Sequence, residues 1–224
     1  MIEFESVGHS YGTRTVLSDV DLSIAEKRVA FVGANGSGKS TLARMINGLV
    51  QPSSGRVLVD GLDPARDGRA VRRKVGFVFT NPDSQIVMPT AGEDVAFSLR
   101  RSGLSKADRE RRAAEVLAEH GLAGYAEHPA HQLSGGQKQL LALCAMLVLE
   151  PDVLVCDEPT TLLDLRNKRR FTELLTTLPQ QVVLVTHDLD LLGEFERVVV
   201  VDQGRVAADD EPGPALRHYR KLAE

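Results

Sequence analysis

Trp is absent from this chain, and aromatic residues make up only 4% of its 224 residues. Its two cysteines, Cys144 and Cys156, are too few for a disulfide framework, and each lies in an apolar run where a buried thiol is expected. The longest uninterrupted apolar stretch, from Leu140 to Leu149, is far shorter than the roughly 20 residues that cross a bilayer. These shortages exclude a disulfide-rich secreted domain and predict no membrane-spanning helix.

An excess of charge of one sign is also lacking. The 27 basic and 31 acidic side chains give a formal net charge of -4, which supplies no overall attraction to nucleic acid or to an anionic membrane. The acidic start, Met-Ile-Glu-Phe-Glu, lacks the basic segment of a signal peptide. The low cysteine content is expected of a protein in the reducing cytoplasm. With 42% apolar and 26% charged residues, the chain can fold as one large domain or as a core with a smaller lobe.

Short apolar runs alternate with segments of helical spacing along the chain. Non-alternating runs are typical of strands buried on both faces of a parallel sheet, and they occur at 28–32, 75–79, 153–156, 182–185 and 198–201. Apolar side chains spaced in twos predict antiparallel, half-exposed strands within 1–24, and a further hairpin-like strand is indicated at 56–59. Helical spacing is found at 39–47, 137–149 and 164–177.

These patterns predict an α/β fold. Its core is a mainly parallel sheet covered by helices, with an N-terminal antiparallel β subdomain. The stretch 90–131 is predicted to form a helical lobe. We therefore expect one domain, 1–224, in which 1–89 and 132–224 form the β subdomain and the core.

A glycine-rich loop joins the run at 28–32 to the helix that begins near residue 39. Its sequence fits G-x-x-x-x-G-K-[ST] and lies between a strand and a helix, as that motif requires. Backbone N–H groups of such a loop surround phosphate oxygens, and the helix N-terminus adds its positive dipole end. Lys39 is expected to reach the β/γ phosphates and Ser40 to ligate Mg²⁺. The predicted nucleotide-binding residues are Gly33, Asn35, Gly36, Ser37, Gly38, Lys39, Ser40 and Thr41.

Two acids end the buried run at 153–156. Asp157 and Glu158 thereby stand at the carboxyl end of the predicted sheet, where a phosphate-loop ATPase holds its Mg²⁺. Asp157 is predicted to be a Mg²⁺ ligand beside Ser40. Glu158 is predicted to orient and deprotonate the attacking water. An ordinary surface turn is the alternative interpretation of such a pair, and the neighbouring phosphate loop disfavours it.

Another glycine-containing motif lies directly before the helix at 137–149. The sequence there is Leu-Ser-Gly-Gly-Gln, and its Ser hydroxyl and unpaired N–H groups form another anion-binding helix end, at Ser134, Gly135, Gly136 and Gln137. With this motif in place, the whole chain resembles the nucleotide-binding subunit of an ABC (ATP-binding cassette) transporter. The resemblance implies that this signature motif of one subunit closes over the ATP held by the phosphate loop of another. A homodimer is therefore expected.

The same resemblance implies roles for three further residues. Tyr11 occupies the place of the aromatic residue that stacks on adenine, with core packing as the alternative for its ring. His187 follows the run at 182–185, is expected at the same sheet edge as Asp157, and matches the histidine that contacts the γ-phosphate. Asp164 matches the acid of the D-loop, which lies across the dimer interface.

The segment from Phe79 to Gln85 indicates one group within this family. Together with Glu93 to Phe97, it resembles the energy-coupling-factor (ECF) ATPases, in which Gln-Asn-Pro-Asp-x-Gln is typical. Thr80 stands where those relatives carry the first glutamine, which touches Mg²⁺ and the attacking water; its hydroxyl is shorter and carries no amide. Whether Thr80 or Gln85 takes over that contact stays open from the sequence.

By this resemblance the chain is expected to hydrolyse ATP with Mg²⁺ and to power an importer of a vitamin or a metal ion. Its expected partners are integral membrane coupling and substrate-binding subunits, which places it at the cytoplasmic face of the membrane, and nucleic acid is not an expected partner. The short tail after Arg205 favours a biotin-type system. The alternatives are a non-transport ABC ATPase acting on nucleic acid or the ribosome, and a nucleotide-gated module without turnover.

Overall fold

A computed structural model describes residues 1–222 of the chain. Its strands are β1 (Ile2–Tyr11), β2 (Arg14–Ile24), β3 (Arg28–Val32), β4 (Ser54–Val59), β5 (Val75–Val78), β6 (Val153–Asp157), β7 (Gln181–Val185), β8 (Arg197–Asp202) and β9 (Arg205–Asp210). Its helices are α1 (Lys39–Ile46), α2 (Gly68–Lys74), α3 (Ala91–Ser98), α4 (Lys106–Glu119), α5 (Gly135–Leu147), α6 (Leu165–Thr177) and α7 (Pro212–Leu222).

The strands form two sheets. The smaller sheet has the order β2-β1-β4 and is antiparallel throughout. The larger sheet has the order β5-β6-β7-β3-β8-β9 and is parallel except for β9, which runs antiparallel to β8 at one edge. The predicted α/β fold with a mainly parallel sheet and an N-terminal antiparallel part is therefore confirmed.

Alternate residues of the parallel strands enter two different cores. Along β3, Ala30 and Val32 belong to the core under α5 and α6, whereas Val29 and Phe31 belong to the core shared with α1 and the small sheet. All four side chains are fully buried. Because successive side chains of a strand point to opposite faces, a strand covered on both sides must be apolar without alternation. This is why these runs are apolar throughout, apart from Arg28 at the start of β3.

The two cysteines lie in the core on the α5 side of the sheet. Cys144 of α5 and Cys156 of β6 are both fully buried, as the sequence predicts. Burial raises the pKa of the Cys144 thiol to about 12 and raises that of Cys156 as well. Both thiols are therefore protonated, weakly nucleophilic core groups.

The helical stretch after residue 90 divides into two separately capped helices. The Thr90 side chain accepts a hydrogen bond from the Glu93 N–H in a capping box at the start of α3. The Ser105 side chain accepts one from the Asp108 N–H at the start of α4. Both helices pack on each other and on α5. The boundaries of the helical lobe, 90–131, stay a prediction.

Three elements were not expected from the sequence. Helix α2 buries only Val71, and strand β9 is an edge strand with the sequence Arg-Val-Ala-Ala-Asp-Asp, so neither shows an apolar period. Helix α7 packs against β8 and β9 and buries Ala215. Helix α2 contacts the next strand, β5, and β9 forms a hairpin with β8, so these elements depend on packing against neighbouring elements rather than on an apolar period of their own. Within residues 1–222, no helix combines the length and apolar character needed to cross a bilayer.

Candidate nucleotide site

The phosphate loop connects β3 to α1 at the carboxyl edge of the large sheet. Gly33, Gly36 and Gly38 have φ angles of 150°, 80° and 110°, which L side chains rarely adopt. A Cβ atom at Gly33 would collide with the Val201 carbonyl oxygen, and one at Gly38 would lie 2.7 Å from Leu17 Cδ2. The glycines of the motif are therefore required both by the backbone turn and by close packing.

Lys39 is the first residue of α1, and it is buried. Its Nζ donates hydrogen bonds of 2.8 Å to the Gly33 carbonyl oxygen and 2.9 Å to the Ala34 carbonyl oxygen. Burial lowers the pKa of Lys39, and the charges of Glu158 and Asp157 oppose that shift. The ammonium group is thereby held inside the phosphate loop, which is where a phosphate would meet it.

Asp157 ends β6 and is 1% exposed. The Ser40 hydroxyl donates a 2.7 Å hydrogen bond to its Oδ1, and the Arg44 guanidinium donates to its Oδ2 from Nη2 at 2.9 Å and from Nε at 3.2 Å. The Thr80 hydroxyl donates to the Asp157 backbone carbonyl at 2.7 Å. Ser40 and Asp157 therefore bring together two oxygens of the kind that Mg²⁺ prefers.

Glu158 and His187 lie side by side at the same edge. Glu158 Oε2 is 3.5 Å from His187 Nδ1 and accepts a 3.2 Å hydrogen bond from the Thr161 hydroxyl. Glu158 has a φ of 49°, and its N–H donates to the Val185 carbonyl oxygen at the end of β7. A left-handed residue at this point costs free energy, which the bond to the neighbouring strand offsets. The two predicted catalytic side chains are thereby brought together.

A cleft of about 450 Å³ opens above the loop. Its lining residues are Tyr11, Arg14, Val16, Asn35, Gly36, Gly38, Lys39, Ser40, Thr41 and Glu158. The Ser37 hydroxyl nearby is buried and has no hydrogen-bond partner among the described residues. A buried donor without a partner is costly, so this hydroxyl fits a site that takes an anion with several acceptor oxygens. The residues present therefore fit a nucleoside triphosphate.

The β1–β2 hairpin forms one wall of this cleft. Tyr11 is 53% exposed, and its ring packs edge-to-face on His9, with 4.6 Å between ring centroids. The alternative of core packing is therefore wrong for Tyr11, whose ring has an open face that a base could stack on. Arg14 pairs with Tyr11 in the hairpin and was missed in the sequence. The sequence signal that could have identified Arg14 is its position directly after the Gly12-Thr13 turn, opposite Tyr11.

The signature motif begins α5 at a different place. Ser134 accepts a hydrogen bond from the Gln137 N–H, and the Gln137 side chain accepts one from the Ser134 N–H, so the two close a capping box. A Cβ atom on Gly136 would lie 3.1 Å from the Asn167 side chain, whose Nδ2 donates to Asp164. The signature and the predicted D-loop are therefore neighbours. Among the described residues that line the cleft, none belongs to the signature.

Two glutamines hold the backbone just before Thr80. The Phe79 N–H donates to Gln85 Oε1 at 3.2 Å, and Gln85 Nε2 donates to the Ala142 carbonyl oxygen at 3.2 Å. Gln139 Nε2 donates to the Phe79 carbonyl oxygen at 3.1 Å. Both ends of the Gln85 amide are thus engaged by backbone groups, which ties α5 to the end of β5. Gln139 was missed in the sequence because its partner is a distant backbone carbonyl.

The chain matches known proteins over nearly its whole length. Residues 17–161 match the family model described as ABC transporter. The chain is 54% identical over 221 residues to a Deinococcus radiodurans protein named as an ABC transporter ATP-binding protein, which covers 99% of this chain and 98% of that protein. It is 46% identical over 222 residues to the Biotin transport ATP-binding protein BioM of Rhizobium etli, with 99% of each chain covered.

A further relative carries the energy-coupling-factor name. The Energy-coupling factor transporter ATP-binding protein EcfA of Methanothermobacter thermautotrophicus is 38% identical over 221 residues, which are 95% of this chain and 71% of that protein.

Solved structures share the fold at 31% identity. CbiO1 from Clostridium perfringens, part of the ABC transporter complex CbiONQ, has a TM-score of 0.86 and covers 99% of this chain and 92% of its own. A dimeric structure of the bacterial ABC transporter cassette MJ0796 has a TM-score of 0.84 and covers 95% and 99%. A chain that matches this family model over most of its length and carries a phosphate loop on the same fold belongs to the ABC transporter family, in which it is an ATP-binding subunit and an ATP hydrolase.

Proposed function

We propose that the chain is the Mg-ATP-hydrolysing subunit of an ECF-type importer and works as a homodimer at the cytoplasmic face of the membrane. The observation that carries the proposal is the convergence of Lys39, Ser40 and Glu158 at one cleft, with Asp157 hydrogen-bonded to Ser40. The relatives named BioM and EcfA support the ECF assignment. Integral membrane coupling and substrate-binding subunits are the proposed partners.

The side chains at the cleft divide the work of hydrolysis. The loop N–H groups and Lys39 bind the phosphates, and Ser40 and Asp157 offer oxygens to Mg²⁺, which supplies charge neutralisation when bound. Glu158 orients the attacking water and accepts its proton. His187 lies with its Nδ1 3.5 Å from Glu158 Oε2, and we propose that its other ring nitrogen, Nε2, faces the γ-phosphate. All four functions are available at one edge of the sheet.

Thr80→Gln is expected to raise the ATPase rate of the assembled transporter by a few-fold at most, with ATP affinity within about twofold of wild type. The amide would add one contact to the attacking water, worth on the order of 1 kcal/mol. Gln85→Ala is expected instead to lower the melting temperature, because its amide links Phe79 to Ala142. Phosphate-release assays and melting curves of both variants test this.

The opposite pattern would show that Gln85 already fills the missing contact. In that case Thr80→Gln is neutral or harmful, and Gln85→Ala slows turnover without changing the melting temperature.

The place of the signature supports the dimer. Ser134 is exposed at the start of α5, outside the lining of its own chain's cleft. Its hydroxyl and the N–H groups behind it form an anion-binding helix end. A second copy can therefore bring this end to the phosphates, and the cassette MJ0796 has been solved as a dimer.

Ser134→Arg in one subunit is expected to stop hydrolysis of the ATP held by Lys39 of the other subunit, because bulk and charge block the approach of the signature helix. A mixture of Ser134→Arg and Lys39→Ala chains should then recover activity above either variant alone, since mixed dimers keep one intact composite site. Steady-state phosphate release from the mixture measures this.

The matched control is Ser105→Arg, because Ser105 caps α4 as Ser134 caps α5. It should keep nearly full activity. The composite-site proposal is wrong if mixed dimers form, as shown by pull-down of two differently tagged chains, and no activity returns.

The non-transport alternative is not favoured by the fold. Between the phosphate loop and the signature, the longest helix within the described residues is α4, with 14 residues. This is too short for the coiled coil that such ATPases insert there. The binding-module alternative lacks support because Glu158 lines the cleft and His187 lies 3.5 Å from it.

Biotin is the proposed cargo. Support comes from the relative named as a biotin transport protein, at 46% identity over 222 residues. The test is to co-purify the membrane subunits with the tagged chain, reconstitute them in proteoliposomes, and measure ATP-dependent uptake of labelled biotin against Co²⁺ and Ni²⁺. Biotin uptake that stops with Glu158→Gln supports the assignment, and uptake of a metal ion instead contradicts it.

A further inference from the structure

The buried carboxylate of Asp157 forms an ion pair with the guanidinium group of Arg44. Its Oδ1 accepts from Ser40, and its Oδ2 accepts from both Nη2 and Nε of Arg44 at 2.9 Å and 3.2 Å. The Arg44 side chain is 41% exposed and the Asp157 side chain 1%, so the guanidinium covers the carboxylate from the solvent side. A buried carboxylate without such a partner would be costly.

Lys39, the other cation near Asp157, forms no hydrogen bond or ion pair with the Asp157 carboxylate. Its Nζ is bonded to the Gly33 and Ala34 carbonyl oxygens, and Arg44 is the cation that contacts the Asp157 carboxylate within residues 1–222. Next to the carboxylates, the positive charges of Lys39 and Arg44 balance the negative charges of Asp157 and Glu158, and Arg14 adds a further positive charge to the lining of the cleft. A divalent cation alone therefore gains little from this neutral group, whereas phosphate oxygens would add the missing negative charge.

We propose that Arg44 is a positioning residue that fixes Asp157 for metal binding and makes metal binding depend on the nucleotide. This rests on the proposed function, in which Asp157 is a Mg²⁺ ligand. The guanidinium occupies Oδ2, so that Oδ1 stays directed at Ser40. Its charge also reduces the attraction of the carboxylate for Mg²⁺ until phosphates arrive. Mg²⁺ characteristically binds one or two carboxylates together with substrate phosphates, which fits this division.

The Arg44–Asp157 ion pair could be merely structural, or Arg44 could control metal binding, and the two interpretations predict different results. In both cases, removal of Arg44 destabilises the protein, because Asp157 is left buried and unpaired. Only in the second case does the vacated carboxylate accept Mg²⁺ without a nucleotide. Metal-dependent stability, rather than ATPase activity, is therefore the decisive readout.

The test compares melting temperatures of nucleotide-free wild type, Arg44→Met and Arg44→Lys, each with EDTA and with about 10 mM MgCl₂. We expect wild type to melt at the same temperature in both. Arg44→Met should melt roughly 5 °C or more below wild type in EDTA and regain at least about half of that loss with Mg²⁺. Arg44→Lys keeps the positive charge and should show no response to Mg²⁺.

A fourth variant locates the metal. Arg44→Met combined with Asp157→Asn removes both charges, and we expect its melting temperature not to respond to Mg²⁺. The inference is overturned if Arg44→Met shows no response to Mg²⁺, if wild type is stabilised by Mg²⁺ to the same extent, or if the double variant still responds.

Failure of the proposed function is distinguishable from failure of this inference. If wild type is stabilised no more by Mg-ATP than by ATP in EDTA, then the Mg²⁺ site itself is wrong and the inference falls with it. If wild type responds to Mg-ATP and Arg44→Met does not respond to Mg²⁺ alone, then only the role of Arg44 is wrong.

Discussion

Glu158→Gln should leave ATP binding close to that of wild type and reduce hydrolysis by at least about a hundredfold, because the general base is lost. The phosphate loop is unaffected, since none of its hydrogen bonds involves the Glu158 side chain within the described residues. The amide keeps the shape of the carboxylate and can still accept from Thr161. Binding and chemistry should therefore separate in this variant.

Dimers are expected to accumulate when Glu158→Gln is saturated with Mg-ATP, because the closed state is no longer emptied by hydrolysis. Sedimentation velocity with and without Mg-ATP measures this, and steady-state phosphate release measures turnover. Glu173→Gln on α6 is the matched control and should behave as wild type. Hydrolysis within about threefold of wild type, or monomers at saturating Mg-ATP, would contradict the role of Glu158.

Lys39→Ala should weaken nucleotide binding itself, by about 10-fold to 100-fold, because the phosphates lose a charge-assisted hydrogen bond. Burial lowers the pKa of Lys39, which means that the charged ammonium group is disfavoured at this position. We therefore expect Lys39→Ala to stay folded. Titration with a fluorescent ATP analogue measures the affinity. A melting curve confirms that the variant is folded.

The control for this charge is Lys106→Ala. Lys106 is exposed on α4 and lies 3.6 Å from Glu110, so its loss should leave ATP affinity unchanged. An affinity of Lys39→Ala equal to that of wild type, in a protein with a normal melting curve, would remove Lys39 from the phosphate site.

The elements near the phosphate loop could be predicted because their determinants are local. Glycine at three positions permits the positive φ angles of the loop, and the four apolar residues that end β3, Val29 to Val32, indicate a strand buried on both faces of a sheet. Helix caps are local signals as well, since Thr90, Ser105, Ser134 and Asp164 each cap the helix that follows them, although the sequence analysis did not separate α3 from α4. Strand β9 and helix α2 have no such local signal.

The sequence by itself determined the α/β fold, the phosphate loop, and the two acids at the end of β6, because each follows from residues adjacent in the chain. The tertiary structure decided which distant groups meet. Arg44 reaches Asp157 across 113 positions, and Gln139 reaches the Phe79 carbonyl across 60. Only strand order brings β6 beside β7, and with it Glu158 beside His187. Contacts of this kind depend on the packing of whole elements, which no local pattern of residues encodes.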